Sequence, residues 1–153
     1  YSQHISFAKE SCNENTFTNL DFSRFIDLQS IEVGDNSLMY VKNVKIDGLI
    51  KLETINIGQN SFTEHRNGYN LNSQDNSFVV KNCDSLESLS IDRYSFSDYN
   101  SFTIESMIEI RVWWLDTPSL KEMKIGDENE DSFNFYHNSL QLSSMNSELI
   151  DNE

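Results

Sequence analysis

The sequence predicts an all-β protein with little helix, built as a solenoid of parallel stacked coils of about 24 residues. The main observation is an internal repeat. An eleven-residue phrase that begins at Leu28 returns at Leu52 and Leu86, and a degraded copy begins at Leu120. The second observation is the composition: alanine and proline occur once each, while serine, asparagine and β-branched or aromatic residues are abundant. This composition favours strands joined by polar turns over helices.

Each repeat carries two strand patterns, in which a polar residue separates two apolar ones, as expected for half-buried strands. The strand after the first leucine has the apolar pairs Ile31/Val33, Ile55/Ile57, Leu89/Ile91 and Met123/Ile125. The strand before that leucine has the pairs Leu20/Phe22, Val44/Ile46, Phe78/Val80, Phe102/Ile104 and Leu140/Leu142. One coil cannot bury these residues alone, so coils stacked about 4.8 Å apart would pack like residues on like and pair their strands in parallel.

The repeat length changes along the chain. First leucines are 24 residues apart from Leu28 to Leu52 and 34 apart in the next two steps. We assign the extra residues to a polar insertion near 65–74 and to an apolar insertion near 106–117. The repeats then occupy residues 17–142 in about four units, between an N-terminal flank or cap at 1–16 and a polar C-terminal tail at 143–153.

An alternative register treats the second insertion as an irregular repeat. Four of its apolar residues also satisfy the leucine spacing, namely Ile110, Trp113, Leu115 and Leu120. We prefer the insertion, because the segment that begins at Ser119 copies the one that begins at Ser85.

The repeating unit resembles the leucine-rich repeat, whose core is Leu-x-x-Leu-x-Leu-x-x-Asn-x-Leu. The first copy matches it at Leu28, Ile31, Val33, Asn36 and Leu38, and the second at Leu52, Ile55, Ile57, Asn60 and Phe62. The Ser-Phe ending and the lead-in Asn82-Cys83-Asp84-Ser85-Leu86 are similar to the BspA-type branch of surface leucine-rich repeat proteins. The resemblance implies that the strand-bearing face is a recognition surface.

Two residue types predict the bend after each strand. Gly34, Gly58 and Gly126 directly follow the strands, which suggests a backbone bend that other residues adopt only at a cost. Asn36 and Asn60 are expected to turn inward and to satisfy backbone groups left unpaired between coils.

Six residues are candidates for binding. The polar residues between the apolar pairs, Glu32, Asn56, Ser90 and Lys124, are expected to form one outward column. Trp113 and Trp114 lie in the apolar insertion, where they would form an exposed aromatic patch for a protein or glycan or, alternatively, plug the side of the solenoid.

The sequence offers no motif for catalysis and none for a cofactor or a metal site. His4, His65 and His137 have no Cys/His partner at ligand spacing, and the acidic segment from Asp127 to Asp131 lacks the spacing of known calcium loops. We therefore expect a protein that is not an enzyme, with no cofactor.

Charge and hydropathy limit the classes of partner that we expect for this chain. A net charge of −14 would repel nucleic acid, and no apolar run approaches the roughly 20 residues that span a bilayer, so we expect no membrane insertion within this segment. The chain begins with Tyr1 and shows no signal-peptide pattern, so we read it as a processed product or a piece of a longer protein. The resemblance favours an extracellular or cell-surface location.

The resulting hypothesis is a non-catalytic scaffold that binds a protein or glycan ligand, as part of a longer cell-surface or secreted adhesive or receptor-like protein. The alternative is a structural segment, or a self-assembling subunit of an extracellular filament whose partners are copies of itself. Parallel stacks end in unpaired strand edges, which favour such pairing unless they are capped.

Overall fold

The structure, a computed structural model, describes residues 3–64, 76–92, 95–96, 98–99 and 101–104, together with short strands at 115–116, 122–125 and 142–143. All regular elements within these ranges are strands, which confirms the all-β prediction for this part of the chain. In chain order they are β1 His4–Phe7, β2 Asn19–Asp21, β3 Ser30–Val33, β4 Asn43–Asp47, β5 Thr54–Ile57, β6 Ser77–Lys81, β7 Ser88–Ile91, β8 Ser101–Ile104, β9 Leu115–Asp116, β10 Glu122–Ile125 and β11 Leu142–Ser143.

Successive strands alternate between two parallel sheets. The first sheet has the order β1-β3-β5-β7, and the second has the order β10-β8-β6-β4-β2. A third pair, β11-β9, is separate from both. Like positions of the repeat face each other, since Ile31 pairs with Ile55, and Ile55 pairs with Leu89. The repeat phrase therefore sets the register of the first sheet.

One hydrophobic core lies along both sheets. The alternate residues Ile31 and Val33 of β3 and Val44 and Ile46 of β4 are all at most 5% exposed, while the residues between them face outward. This in-out alternation fixes the register, because a shift by one residue would expose the whole apolar set.

The N-terminal flank contains a strand in the same register as the repeats. β1 pairs with β3 so that Ile5 faces Ile31 and Phe7 faces Val33. The bend that follows has φ values of 59° at Glu10 and 56° at Cys12, matching the later bends at Asn36 (57°) and Leu38 (56°). The sequence concealed this copy because Ala8 replaces the glycine and Glu10 the asparagine.

The copy at Leu120 was assigned to the wrong sheet. β10 does not continue the first sheet after β7; it pairs with β8, so that Lys124 faces Thr103. β9 lies between β8 and β10 in the chain and pairs with β11, so it does not continue the first sheet either. The error has a simple cause: the pair Met123/Ile125 has the same spacing as the pairs of either sheet.

Glycine after the strand is required by close packing between coils and not by a left-handed backbone. A Cβ atom on Gly34 would lie 2.6 Å from the backbone nitrogen of Lys9 in the preceding coil, and one on Gly58 would collide with Asp35. The positive φ values occur two and four residues later, at Asn36 and Leu38. Gly126 lies outside the described residues.

A column of serines joins the bends of successive coils. Ser37 Oγ donates to the carbonyl of Ala8 (2.8 Å), and Ser61 Oγ donates to that of Gly34 (2.8 Å). Each hydroxyl also accepts a bond from the serine N–H of the coil before it, Ser11 to Ser37 (3.3 Å), Ser37 to Ser61 (3.4 Å) and Ser61 to Ser95 (3.0 Å). These serines thus join the backbones of successive bends.

Replacing Ser61 by alanine should lower the free energy of unfolding by about 1–3 kcal/mol. The change removes the partner of two buried or part-buried backbone groups, the N–H of Ser37 and the carbonyl of Gly34. Ser90→Ala, at a half-exposed position, is the matched control and should change stability by less than about 0.5 kcal/mol. Urea unfolding followed by circular dichroism measures both, and equal values for the two variants would contradict the role of the serine column.

Tyr99 belongs to an aromatic cluster in the core. Phe62 and Phe96 stack with ring centroids 4.6 Å apart, and Tyr99 packs edge-on against Phe96 at 4.9 Å. Tyr99 is fully buried, and its hydroxyl donates to the carbonyl of Val41 at 2.6 Å. Because Val41 is 58 residues earlier in the chain, this bond ties together coils on either side of the insertion.

Burial, together with the nearby Asp98 carboxylate, raises the pKa of Tyr99 well above its usual value of 10.0. The unfolded chain therefore loses this proton at a lower pH than the folded protein. The contribution of Tyr99 to the free energy of unfolding should not depend on pH below about pH 10. It should fall as the pH rises further, because the folded state then holds one more proton than the unfolded state.

Tyr99→Phe tests this titration. The variant should be less stable at pH 7 by about 1–2 kcal/mol, since the carbonyl of Val41 loses its donor. Its stability should also decline less steeply than that of the parent between about pH 9 and pH 11. Urea unfolding at several pH values gives both quantities, and parallel pH profiles for the two proteins would refute the raised pKa.

Candidate binding face on the first sheet

The polar side of the first sheet is the candidate site. Alternate residues of its four strands point away from the core and form two columns across the sheet. We define the outer face by these eight residues, which are His4, Ser30, Thr54 and Ser88 in one column and Ser6, Glu32, Asn56 and Ser90 in the other.

The local sequence places each of these residues on this side. In every strand the two apolar residues of the repeat turn inward, so the polar residues before and between them must turn outward. In β5, for example, Ile55 and Ile57 are at most 4% exposed, while Thr54 and Asn56 are half-buried. The parallel register then sets equivalent side chains on adjacent strands, about 4.8 Å apart.

A shallow depression runs across the outer face. It has a volume of about 570 Å³, and its lining includes the column from Ser6 to Ser90 and the two glycines Gly34 and Gly58. Short side chains and glycines leave the backbone at its floor accessible. The depression crosses all four strands, so its shape suits an extended ligand better than a compact one.

The electrostatics of the depression favour neither a nucleic acid nor another polyanion. Glu32 and Asp92 contribute carboxylates, and Lys9 is the single cation among the described residues that line it. Glu53 and Glu87, both exposed, directly precede β5 and β7.

Most polar side chains of the outer face have no hydrogen-bond partner within the described part of the protein. His4 is an exception, because its Nδ1 lies 2.6 Å from Ser30 Oγ. Glu32, Asn56 and Ser90 have neither a side-chain bond nor an ion pair there. Their donors and acceptors are therefore available to a ligand.

The second sheet differs in this respect. Asn43 donates its side-chain N–H to Asn19 Oδ1 at 3.0 Å, and Ser77 Oγ donates to Asn43 Oδ1 at 3.1 Å. Lys81 forms an ion pair with Asp47 at 4.0 Å. These polar groups of the second sheet thus bond to one another, which makes them poorer candidates for binding a ligand.

The structure brings together three of the six candidate residues. Glu32, Asn56 and Ser90 occupy equivalent positions on adjacent strands. Lys124 does not extend their column, because β10 lies in the second sheet. Trp113 and Trp114 lie outside the described residues. Sequence reasoning missed Ser6 and His4, and the signal for them was the pair Ile5/Phe7, which has the same spacing as Ile31/Val33.

Other reactive groups lie away from the outer face. Cys83 is buried, and burial raises the pKa of its thiol, so the thiolate is disfavoured. Cys12 is a free, half-buried thiol. In the ranges that the structure describes, no three His, Cys, Asp or Glu side chains group closely enough to hold a metal ion.

Two further findings concern relationships and membranes. Among the described residues there is no helix long and apolar enough to cross a membrane. No protein-family description matches the chain, and neither a curated protein nor a solved structure is significantly similar to it.

Proposed function

We propose that the chain is a β-solenoid of the leucine-rich-repeat type, resembling the BspA-type branch, that binds a protein or glycan ligand through the outer face. Three properties of the described residues support the solenoid. Strands alternate between two parallel sheets, like positions stack on like, and the bends after β1, β3 and β5 share their positive φ values. Stacked coils of this kind create an extended surface, which is how repeat proteins generally bind their partners.

The observation that carries the binding proposal is the contrast between the two sheets. Asn19, Asn43 and Ser77 on the outward side of the second sheet bond to each other. Glu32, Asn56 and Ser90 have no hydrogen-bond partner in the described part of the chain. A ligand that crosses the strands would meet these three side chains in succession, one per coil. Because these groups are evenly spaced, they suit a polymer whose own hydrogen-bonding groups recur at regular intervals. An extended peptide and a glycan chain are two such polymers.

The proposed role is non-catalytic. Binding at the outer face requires only that the sheet hold its polar side chains in fixed positions. The acidic net charge favours solubility and disfavours nucleic acid, and the resemblance supports a location outside the cell or at its surface.

A triple variant tests the outer face. Glu32→Ala, Asn56→Ala and Ser90→Ala together should weaken binding to hits from a glycan array or a phage-displayed peptide library by at least about tenfold. The fold should survive, because none of the three residues is buried. Circular dichroism and thermal unfolding verify the fold, and biolayer interferometry measures affinity.

The matched control is the equivalent outward column of the second sheet, changed by Lys45→Ala, Val79→Ala and Thr103→Ala. This control should retain parent affinity. Unchanged affinity in the outer-face variant, or an equal loss in both variants, would contradict the proposed site.

A second candidate function, self-assembly, is favoured by the incomplete burial of the coil that β1, the bend after it and β2 form. Its apolar residues are less buried than their counterparts in later coils, and no described strand pairs with its free edges.

A further inference from the structure

Carboxylates dominate the charge of the outer face and its border. Glu32 lies in the column that lines the depression, and Glu53 and Glu87 directly precede β5 and β7. All three are exposed, and their side chains form neither a hydrogen bond nor an ion pair within the part of the chain that the structure describes. Among the described residues that line the depression, Lys9 is the single cation. This side of the first sheet is therefore negative, with little compensation from the protein itself.

Two of these glutamates stack directly on each other. The N–H of Glu87 donates to the carbonyl of Glu53 at 2.7 Å, so the two residues occupy the same position on adjacent coils. Like charges at neighbouring positions of adjacent strands repel each other and lower stability. The fold does not require glutamate there, since Gln29 holds the same position one coil earlier and accepts the N–H of Glu53 at 2.8 Å.

Three other positions on the stack show the opposite arrangement. They place opposite charges on adjacent coils, and they are Asp21 with Lys45, Asp27 with Lys51 and Asp47 with Lys81. The charged atoms of Lys51 and Asp27 are 2.7 Å apart. Stacked coils can thus compensate charge between neighbours, and the glutamates beside the outer face receive no such compensation from the described residues.

We propose that the ligand of the outer face is an extended peptide segment that carries lysine or arginine side chains. This inference rests on the proposed function of the outer face and specifies its ligand. A cation between Glu53 and Glu87 would remove their mutual repulsion, and hydrogen bonds from lysine or arginine to a carboxylate are about twice as strong as neutral ones. A neutral glycan would cover these carboxylates without neutralising their charge, which is costly.

The positions of the carboxylates suit a peptide that crosses the strands. Glu53 and Glu87 border one side of the column that contains Thr54 and Ser88. Glu32 belongs to the column on the other side, about 10 Å from the two glutamates along the strand direction. Side chains of an extended peptide alternate between its two sides, so basic residues on either side can reach a carboxylate. The hydroxyls of Thr54 and Ser88 lie between, where they can bond to the peptide amides.

Short matched peptides test the charge of the ligand. In each peptide threonine alternates with lysine, with glutamine or with glutamate, because threonine favours an extended backbone. Isothermal titration calorimetry of the full chain at low salt should give a dissociation constant at least about tenfold lower for the lysine peptide than for the glutamine peptide, with the glutamate peptide weakest. A neutral glucan and a cationic chitosan oligomer separate a glycan from a peptide, and both should bind more weakly than the lysine peptide.

A variant with side chains of the same shape tests the carboxylates. Glu32→Gln, Glu53→Gln and Glu87→Gln together remove three negative charges. Affinity for the lysine peptide should fall by about tenfold, and its dependence on salt between about 50 mM and about 500 mM should largely disappear. The matched control, Glu14→Lys with Asp84→Asn, changes the net charge equally at two exposed positions outside the outer face and should retain parent affinity.

Several results would overturn the inference. These are a lysine peptide that binds no more tightly than the glutamate peptide, an equal loss of affinity in the glutamine variant and its control, or a glucan or chitosan oligomer that binds more tightly than the lysine peptide.

The ligand-binding proposal and this inference fail in different ways. If library ligands lose affinity in the alanine variant of Glu32, Asn56 and Ser90 but not in the glutamine variant, the binding face stands and its preference for basic peptides is wrong. If no ligand depends on the alanine variant, both are wrong.

Discussion

The structure depends on one constraint: each coil must present its backbone to the next coil at the same positions, in the bends as well as in the strands. The strands meet it through parallel ladders. The bends meet it through bonds such as Leu38 N–H to the carbonyl of Ser11 (3.1 Å) and Phe62 N–H to that of Ser37 (3.0 Å), supplemented by the serine hydroxyls. Left-handed φ values at Leu38 and Phe62 cost about 1–2 kcal/mol each, and this shared bonding is what holds them.

The sequence predicted the parts of the fold in which apolar spacing and turn residues agree. Ile31, Ile55 and Leu89 stand in one register as expected, because the phrase around them repeats almost unchanged. Prediction failed for copies of the repeat that keep the apolar pair but lack the other residues of the repeat phrase. Ile5/Phe7 lacks the neighbouring glycine and asparagine, and Met123/Ile125 fits either sheet, so spacing alone could not assign them. Three of the four residues of the expected column lie together for the same reason: Glu32, Asn56 and Ser90 belong to strong repeats, whereas Lys124 belongs to a weak one.

The fold and the proposed ligand binding use different residues of the same short strands. Inward residues are restricted by the core, and bend residues by contact with the adjacent coil, as Gly34 and Gly58 show. Outward residues such as Asn56 are restricted neither by the core nor by contact between bends. Substitutions there can therefore change the chemistry of the outer face without changing the stacking of the coils. The proposed binding role rests on the contrast between Glu32, Asn56 and Ser90, which have no hydrogen-bond partner among the described residues, and Asn19, Asn43 and Ser77 of the second sheet, which bond to one another.

The bond from Tyr99 to Val41 joins coils that lie on either side of an insertion in the sequence. The spacing of paired residues around this insertion shows how such a chain can lengthen. Leu38 and Phe62 are 24 residues apart, whereas the paired residues Asn43 and Ser77 are 34 apart, so the extra length enters after the bend and the chain returns in register at β6. The number of residues in a coil can therefore change while the distance from one coil to the next stays the same. A change in the length of this segment would therefore leave the spacing of successive coils unchanged.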